Sequence, residues 1–179
     1  MKKYLLVILL SLAWTSTFAQ TISYRNDSSA GTNYLITDFI RKYDTGVSLQ
    51  IITSQQSGEK KCILGIYSEG KGRTYCQDNS RAVLKTFSGN IITLVQRNNN
   101  NENEIIHLGD SQSTIWALKV HYDISEEELN LLMNEGIAIL RVETLAGIRE
   151  YNYDKDYLGK FLRSELDLIN DKKSFENDF

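Results

Sequence analysis

The sequence predicts an α+β domain, an antiparallel β-sheet of about seven or eight strands with two α-helices, at about 125–135 and 155–170, packed on one face. Three observations lead there. β-favouring runs follow one another through Gly-, Asn- or Asp-containing links too short for parallel crossovers. The segment Ile124-Ser-Glu-Glu-Glu-Leu129 carries a complete helix-start signature. A second apolar stripe at helical spacing closes the chain.

The chain opens on Met1-Lys2-Lys3, an apolar stretch from Tyr4 to Trp14, and then Thr15-Ser-Thr-Phe-Ala-Gln20. That is the layout of a secretory signal peptide, with the small residues Thr17 and Ala19 where signal peptidase needs them. Residues 1–19 are expected to be removed, with cleavage after Ala19. A permanent anchor is not expected, because a helix needs about twenty apolar residues to cross a bilayer. The first cysteine is Cys62, so a lipoprotein anchor has no thiol to be built on. The mature chain is expected to be periplasmic or secreted, with no membrane span.

Cleavage leaves 160 of 179 residues, enough for one domain burying about two thirds of its unfolded surface. The leader carries two lysines and no acid, so the formal charge moves from −3 to −5. Scattered basic residues on an acidic chain leave no footprint for a phosphate backbone, and nucleic acid is not an expected partner. Residues 20–32 are polar and turn-rich and read as an irregular leader; 33–170 form the single domain; 171–179 are a charged tail expected to fray.

Within the domain, Asp44-Thr45-Gly46 is a turn signal between Tyr34–Tyr43 and the alternating run Val47, Leu49, Ile51, a hairpin pattern. Ser57–Lys60 turns the chain into Cys62–Tyr67, a mostly apolar strand that Glu69-Gly-Lys-Gly72 is expected to break. Arg81–Phe87 and Ile91–Gln96 flank Ser88-Gly89-Asn90, a hairpin link. The tract Asn98–Asn101 with Glu102-Asn103-Glu104 has nothing apolar to bury and reads as a mobile loop tip.

Ile115–Tyr122 is strand-like and hands over to the first helix. Ser125 can accept from the Glu128 amide, Glu128 can reach back, and Ile124 can staple onto Leu129. Leu129, Leu132 and Met133 form its buried stripe, and Gly136 is placed to end it. Ile137–Val142 is apolar on both parities, as in an interior strand, and Leu145-Ala146-Gly147 turns it into Ile148–Tyr153. Asp154 or Asp156 can cap the last helix, whose core face is Leu158, Phe161, Leu162, Leu166 and Ile169.

Cys62 and Cys76 are the only cysteines, in a compartment that permits a disulfide. A turn about Ser68–Gly72 would set them opposite each other, and a bridge closing about fifteen residues would contribute roughly 3 kcal/mol. Two separate buried thiols are the alternative. Both readings stay open.

His107 with Asp110 and Ser111 can be written as a Ser/His/Asp set, with Ser113 close by, but the nucleophile-elbow spacing is absent. His121 and Asp123 share one strand face and could touch a common metal, yet two ligands do not make a site. The capping role accounts for Glu126-Glu127-Glu128 without an ion. Gly70-Lys71-Gly72-Arg73-Thr74 lacks the phosphate-loop spacing and reads as a turn. Arg141, Glu143, Arg149 and Glu150 lie on two paired strands and read as cross-strand ion pairs. Tyr151, Tyr153 and Tyr157 are the candidate binding surface, because a tyrosine ring is apolar while its hydroxyl still hydrogen-bonds.

The ending Phe18-Ala19-Gln20 resembles signal peptides of Bacteroidetes-type bacteria. Residues 113–170, with their Tyr-Asp-Ile-Ser-Glu-Glu-Glu-Leu start, Gly136–Thr144 strand and closing helix, resemble small secreted proteins of that lineage of uncharacterised function. The resemblance implies the element order and the compartment, and carries no functional residues over.

The functional expectation is an exported, soluble, non-enzymatic module that binds a protein or cell-envelope component, with no cofactor. Two alternatives are a lipocalin-like carrier of a small apolar ligand, suggested by about eight strands and a C-terminal helix, and a small extracellular hydrolase built on His107.

Overall fold

The computed structural model describes residues 22–27, 31–71, 73–96, 101–107 and 114–177, so the predicted leader 1–19 lies outside the described residues. Strands β1 (Ile22–Asp27), β2 (Thr32–Thr37), β3 (Ile40–Lys42), β4 (Thr45–Ser54) and β5 (Lys60–Lys71) come first. They are followed by β6 (Arg81–Thr86), β7 (Ile91–Val95), β8 (Asn101–His107) and β9 (Thr114–Ile124). Helix α1 (Glu126–Glu135), β10 (Ile137–Thr144), β11 (Gly147–Asn152) and helix α2 (Leu158–Asn177) complete the order.

The fold is α+β and antiparallel, with its described strands shared between two sheets. The larger sheet runs β1-β2-β4-β5-β9-β8, with β3 also on β4; the smaller runs β11-β10-β6-β7. β2 and β3 lie along the same neighbour, β2 against Gln50–Ser54 and β3 against Thr45–Val47, like one strand interrupted at Asp38-Phe39. α2 lies on β4 and β2, and α1 packs on α2.

One core joins these layers. Val47, Leu49, Leu64, Ile66, Val120 and Tyr122 of the larger sheet share it with Leu84, Leu94, Leu140 and Val142 of the smaller. Leu132, Leu158, Leu162 and Ile169 bring in the helices. Each such leucine, fully removed from water, contributes about 1.5–3 kcal/mol before its ordering entropy is subtracted.

The helix signature is built as its sequence predicts. The Ser125 hydroxyl accepts from the Glu128 amide at 3.2 Å, and the Glu128 carboxylate accepts from the Ser125 amide at 3.0 Å. Asp156, rather than Asp154, caps α2, its Oδ1 accepting from the Gly159 amide at 2.9 Å while Oδ2 takes the Arg163 guanidinium at 2.8 Å. The same carboxylate accepts from the Ile137 amide at 3.4 Å, just past α1. Gly136, at φ +70°, makes this junction possible, since a Cβ there would fall 2.5 Å from the Asp156 carboxyl carbon.

Several segments differ from expectation. Ile22–Asp27, read as irregular leader, is an edge strand, because Thr32–Thr37 pairs with it along its whole length, from Ile22↔Thr37 to Asp27↔Thr32. β5 runs through Glu69-Gly70-Lys71 without a break, held by β9 from Cys62↔Ile124 to Lys71↔Ile115. Pairing with β9 likewise makes Asn101–His107 a strand instead of a loop tip. The first hairpin turns at Tyr43-Asp44, and Gly46 sits inside β4 where a Cβ would fall 2.5 Å from the Ile40 carbonyl oxygen. α2 continues through the charged segment to Asn177, past the expected fraying point at 171.

Candidate functional site

Two of the three tyrosines singled out in the sequence, Tyr151 and Tyr153, lie at the junction of the two sheets. Tyr151 on β11 donates its hydroxyl to the Glu69 carbonyl on β5 at 2.6 Å. The Tyr153 and Thr45 hydroxyls are 2.7 Å apart, and the Arg149 guanidinium donates to the Ser68 carbonyl at 2.8 Å. A Cβ on Gly70 would fall 2.7 Å from Arg149 Nε, so the glycine of the supposed turn is a floor for this arginine. Burial pushes the Tyr153 phenol up to about 12 against the opposing hydrogen bond from Thr45, and it raises Tyr151 as well. Tyr151 and Tyr153 therefore fasten sheet to sheet. Arg149 turns inward with them, whereas Arg141 and Glu150 pair across the strands as expected.

Tyr157 has a different neighbourhood. Its ring meets the Tyr43 ring edge to face, centroids 6.2 Å apart and planes at 87°. The Lys42 ammonium stands 4.9 Å from the Tyr43 centroid and 5.3 Å from that of Tyr157. Tyr43 is 72% exposed and holds φ +55° at the tip of the β3–β4 hairpin. A left-handed backbone at a bulky residue costs on the order of 1–2 kcal/mol. The sequence places the turn one residue later, so nothing in it marks Tyr43 out.

On the far side of β5 from the core, Phe39 lies over Gly65, where a Cβ would be 2.9 Å from the ring. Tyr67 and His121 flank it, at 6.2 and 5.9 Å between ring centroids. Arg41 stacks on Tyr67 and donates to its hydroxyl at 2.9 Å, and that hydroxyl donates to Glu69 at 2.5 Å. His121 is thus packed on an aromatic ring, while Asp123 pairs with Lys61 at 2.8 Å. Among the described residues no three His, Cys, Asp or Glu side chains gather as metal ligands. Asp110, Ser111 and Ser113 of the expected hydrolase set lie outside the described residues.

Cys62 and Cys76 are buried thiols of the same core, and the hairpin invoked to bring them opposite each other is absent because β5 passes straight through it. Cys76 Sγ donates to the Glu143 carbonyl at 3.1 Å and lies 4.0 Å from the Tyr122 hydroxyl. Burial pushes this thiol up to about 11, against the lowering hydrogen bond with Tyr122.

Two buried polar side chains escape sequence reasoning. Glu165 on α2 and Gln96 after β7 are both fully buried, and among the described residues neither the Glu165 carboxyl oxygens nor the Gln96 amide atoms have a hydrogen-bond partner. Burial pushes the Glu165 carboxyl up to about 9. The neighbouring Thr37 hydroxyl, which donates to the Leu49 carbonyl at 3.1 Å, acts in the opposite direction. Within the apolar stripe of a helix, a position occupied by Glu gives no sequence signal of its own.

The smaller sheet presents its outer face to solvent. Alternate residues form cross-strand rows, Glu150–Arg141–Val83–Thr93 at the centre and Asn152–Ile139–Lys85–Ile91 beside it. Ile91 and Ile148 are 66% and 65% exposed, and Val95 is also exposed.

Comparison with known proteins finds no matching family model, no similar curated protein and no similar solved structure. No helix among the described residues is long and apolar enough to cross a membrane.

Proposed function

We propose that the chain, freed of its leader, is an exported non-enzymatic module that binds a protein or cell-envelope component through the outer face of the smaller sheet. The observation that carries this reading is the exposure of Ile91 and Val95 on β7 and Ile148 on β11, on the same face as the Arg141–Glu150 pair. A non-obligate interface mixes apolar side chains and arginine with a polar rim, and exposed apolar groups gathered on one face are where such contact is made. Export rests on the two-lysine, short apolar leader ending at Ala19.

The test is affinity capture from the envelope fraction of the source bacterium with the wild-type chain and an Ile91→Asp/Ile148→Asp variant. Capture of one defined component by the wild type alone, with unchanged thermal melts, supports the reading. Equal capture by both chains, or catalytic turnover in an esterase, peptidase and glycosidase panel, overturns it.

A further inference from the structure

We propose that the corner between the Tyr43 and Tyr157 rings is a binding site for a quaternary ammonium group, which Lys42 occupies as a built-in, displaceable competitor.

The geometry defines the chemistry. The two ring centroids and the Lys42 ammonium form a triangle with sides of 6.2, 4.9 and 5.3 Å, so one cation already stands within reach of both π-faces. Rings set at 87° make two walls of a box rather than a flat platform, which suits a compact cation and not a planar ligand. The hairpin tip keeps Tyr43 72% exposed, so the corner opens to solvent. Asp44, the next residue in the turn, adds a carboxylate on the same tip.

Lys42 is a poor permanent occupant. A primary ammonium is strongly hydrated and its four-carbon stem loses rotamer freedom when held, so an exposed cation–π contact gives it little net advantage. A methylated ammonium cannot hydrogen-bond to water through its methyl groups and offers an apolar, positively charged surface to both rings. It therefore gains more from the corner than Lys42 does. The site stands apart from the smaller sheet's outer face and holds or fails independently of the binding proposed there.

Purified protein titrated with tetramethylammonium and with choline, followed by ring-proton NMR of Tyr43 and Tyr157, tests this. Saturable binding in the millimolar range is expected for both ions, with 3,3-dimethyl-1-butanol, the neutral isostere of choline, showing none. Tyr43→Ala or Tyr157→Ala should weaken binding about five- to tenfold, whereas Tyr157→Phe, which keeps the wall, should not. Lys42→Met should tighten it about threefold. Co-sedimentation with phosphatidylcholine vesicles, compared with phosphatidylglycerol ones, tells a lipid headgroup from a free solute as the source. No saturation with either ion, equal binding of the neutral isostere, or weaker binding by Lys42→Met overturns the proposal.

Discussion

The hydroxyl of Tyr151, on the edge strand of the smaller sheet, donates to the backbone carbonyl of Glu69 in the interior of the larger sheet, at 2.6 Å. With Tyr153 on Thr45 and Arg149 on Ser68, it forms a polar seam beside the apolar core. Tyr151→Phe is expected to lower unfolding free energy by about 1–3 kcal/mol, the cost of leaving a part-buried carbonyl without its donor. The double variant with Tyr153→Phe should be less than additive, since both bonds hold the same two layers. Urea denaturation measures both.

Glu165 makes stability depend on pH in an uncommon direction. Its pKa in the fold, about 9, lies above the ordinary 4.5, so its contribution is complete below the ordinary value and is lost as pH rises through about 9. Across that window stability should fall by up to about 1.4 kcal/mol per pH unit. Urea midpoints at pH 5.5 and 8.5 should differ in the wild type and converge in Glu165→Gln, while Glu165→Leu should be the more stable at pH 8.5. Equal midpoints in the wild type would refute the assignment.

Two phenols should resist ionisation. Burial, then the hydrogen bond to Glu69, pushes Tyr67 up to about 12 against Arg41, and burial, with Tyr151 and Asp44 nearby, does so for Tyr153 against the Thr45 hydrogen bond. Both are raised in the fold, so the stability they carry is present below the ordinary pKa of 10 and disappears through about 12. Absorbance titration at alkaline pH should lose a component near 12 in Tyr67→Phe and in Tyr153→Phe, while Tyr122, which burial raises further, still ionises after them.

The thiols should be inert in the native state. Cys76 is buried, raised to about 11 and committed to the Glu143 carbonyl, and Cys62 is buried in β5. A thiolate is the reactive form, so a disulfide-forming reagent should titrate neither cysteine natively and both in denaturant. No thiol appearing in denaturant, together with a gain of about two daltons on reduction, would establish the bridge instead.

Ser125→Ala should cost about 1 kcal/mol, because it removes the acceptor for the Glu128 amide, while the Glu128 carboxylate keeps its bond from the residue-125 amide. Thermal melting with Glu128→Gln as the milder partner checks it.

The capping box was legible because both of its halves lie within four residues of sequence. The hairpin at Ser88-Gly89-Asn90 was legible for the same reason, its Gly89 holding φ +95° between strands whose exposure alternates. What escaped was decided by partners far along the chain. Glu69-Gly70-Lys71 looks like a breaker until Ala117, Trp116 and Ile115 are seen to pair with it. Ser23, Arg25 and Asn26 are poor strand formers that become one beside β2. The division into two sheets leaves no trace in local pattern, since either sheet uses the same residue types. Tyr151 and Tyr153 were found by composition, but only the fold shows that their hydroxyls face inward while Tyr43, unnoticed, faces out.

The order in which strands enter the two sheets has a consequence for biogenesis. After β5 the polypeptide leaves the larger sheet for two strands of the smaller, returns for β8 and β9, and crosses back again for β10 and β11. The larger sheet is unfinished until Ile124 and the smaller until Asn152. A fragment ending before β10 holds only two of the smaller sheet's four strands, so Leu140 and Val142 join the shared core only when the last hairpin is made.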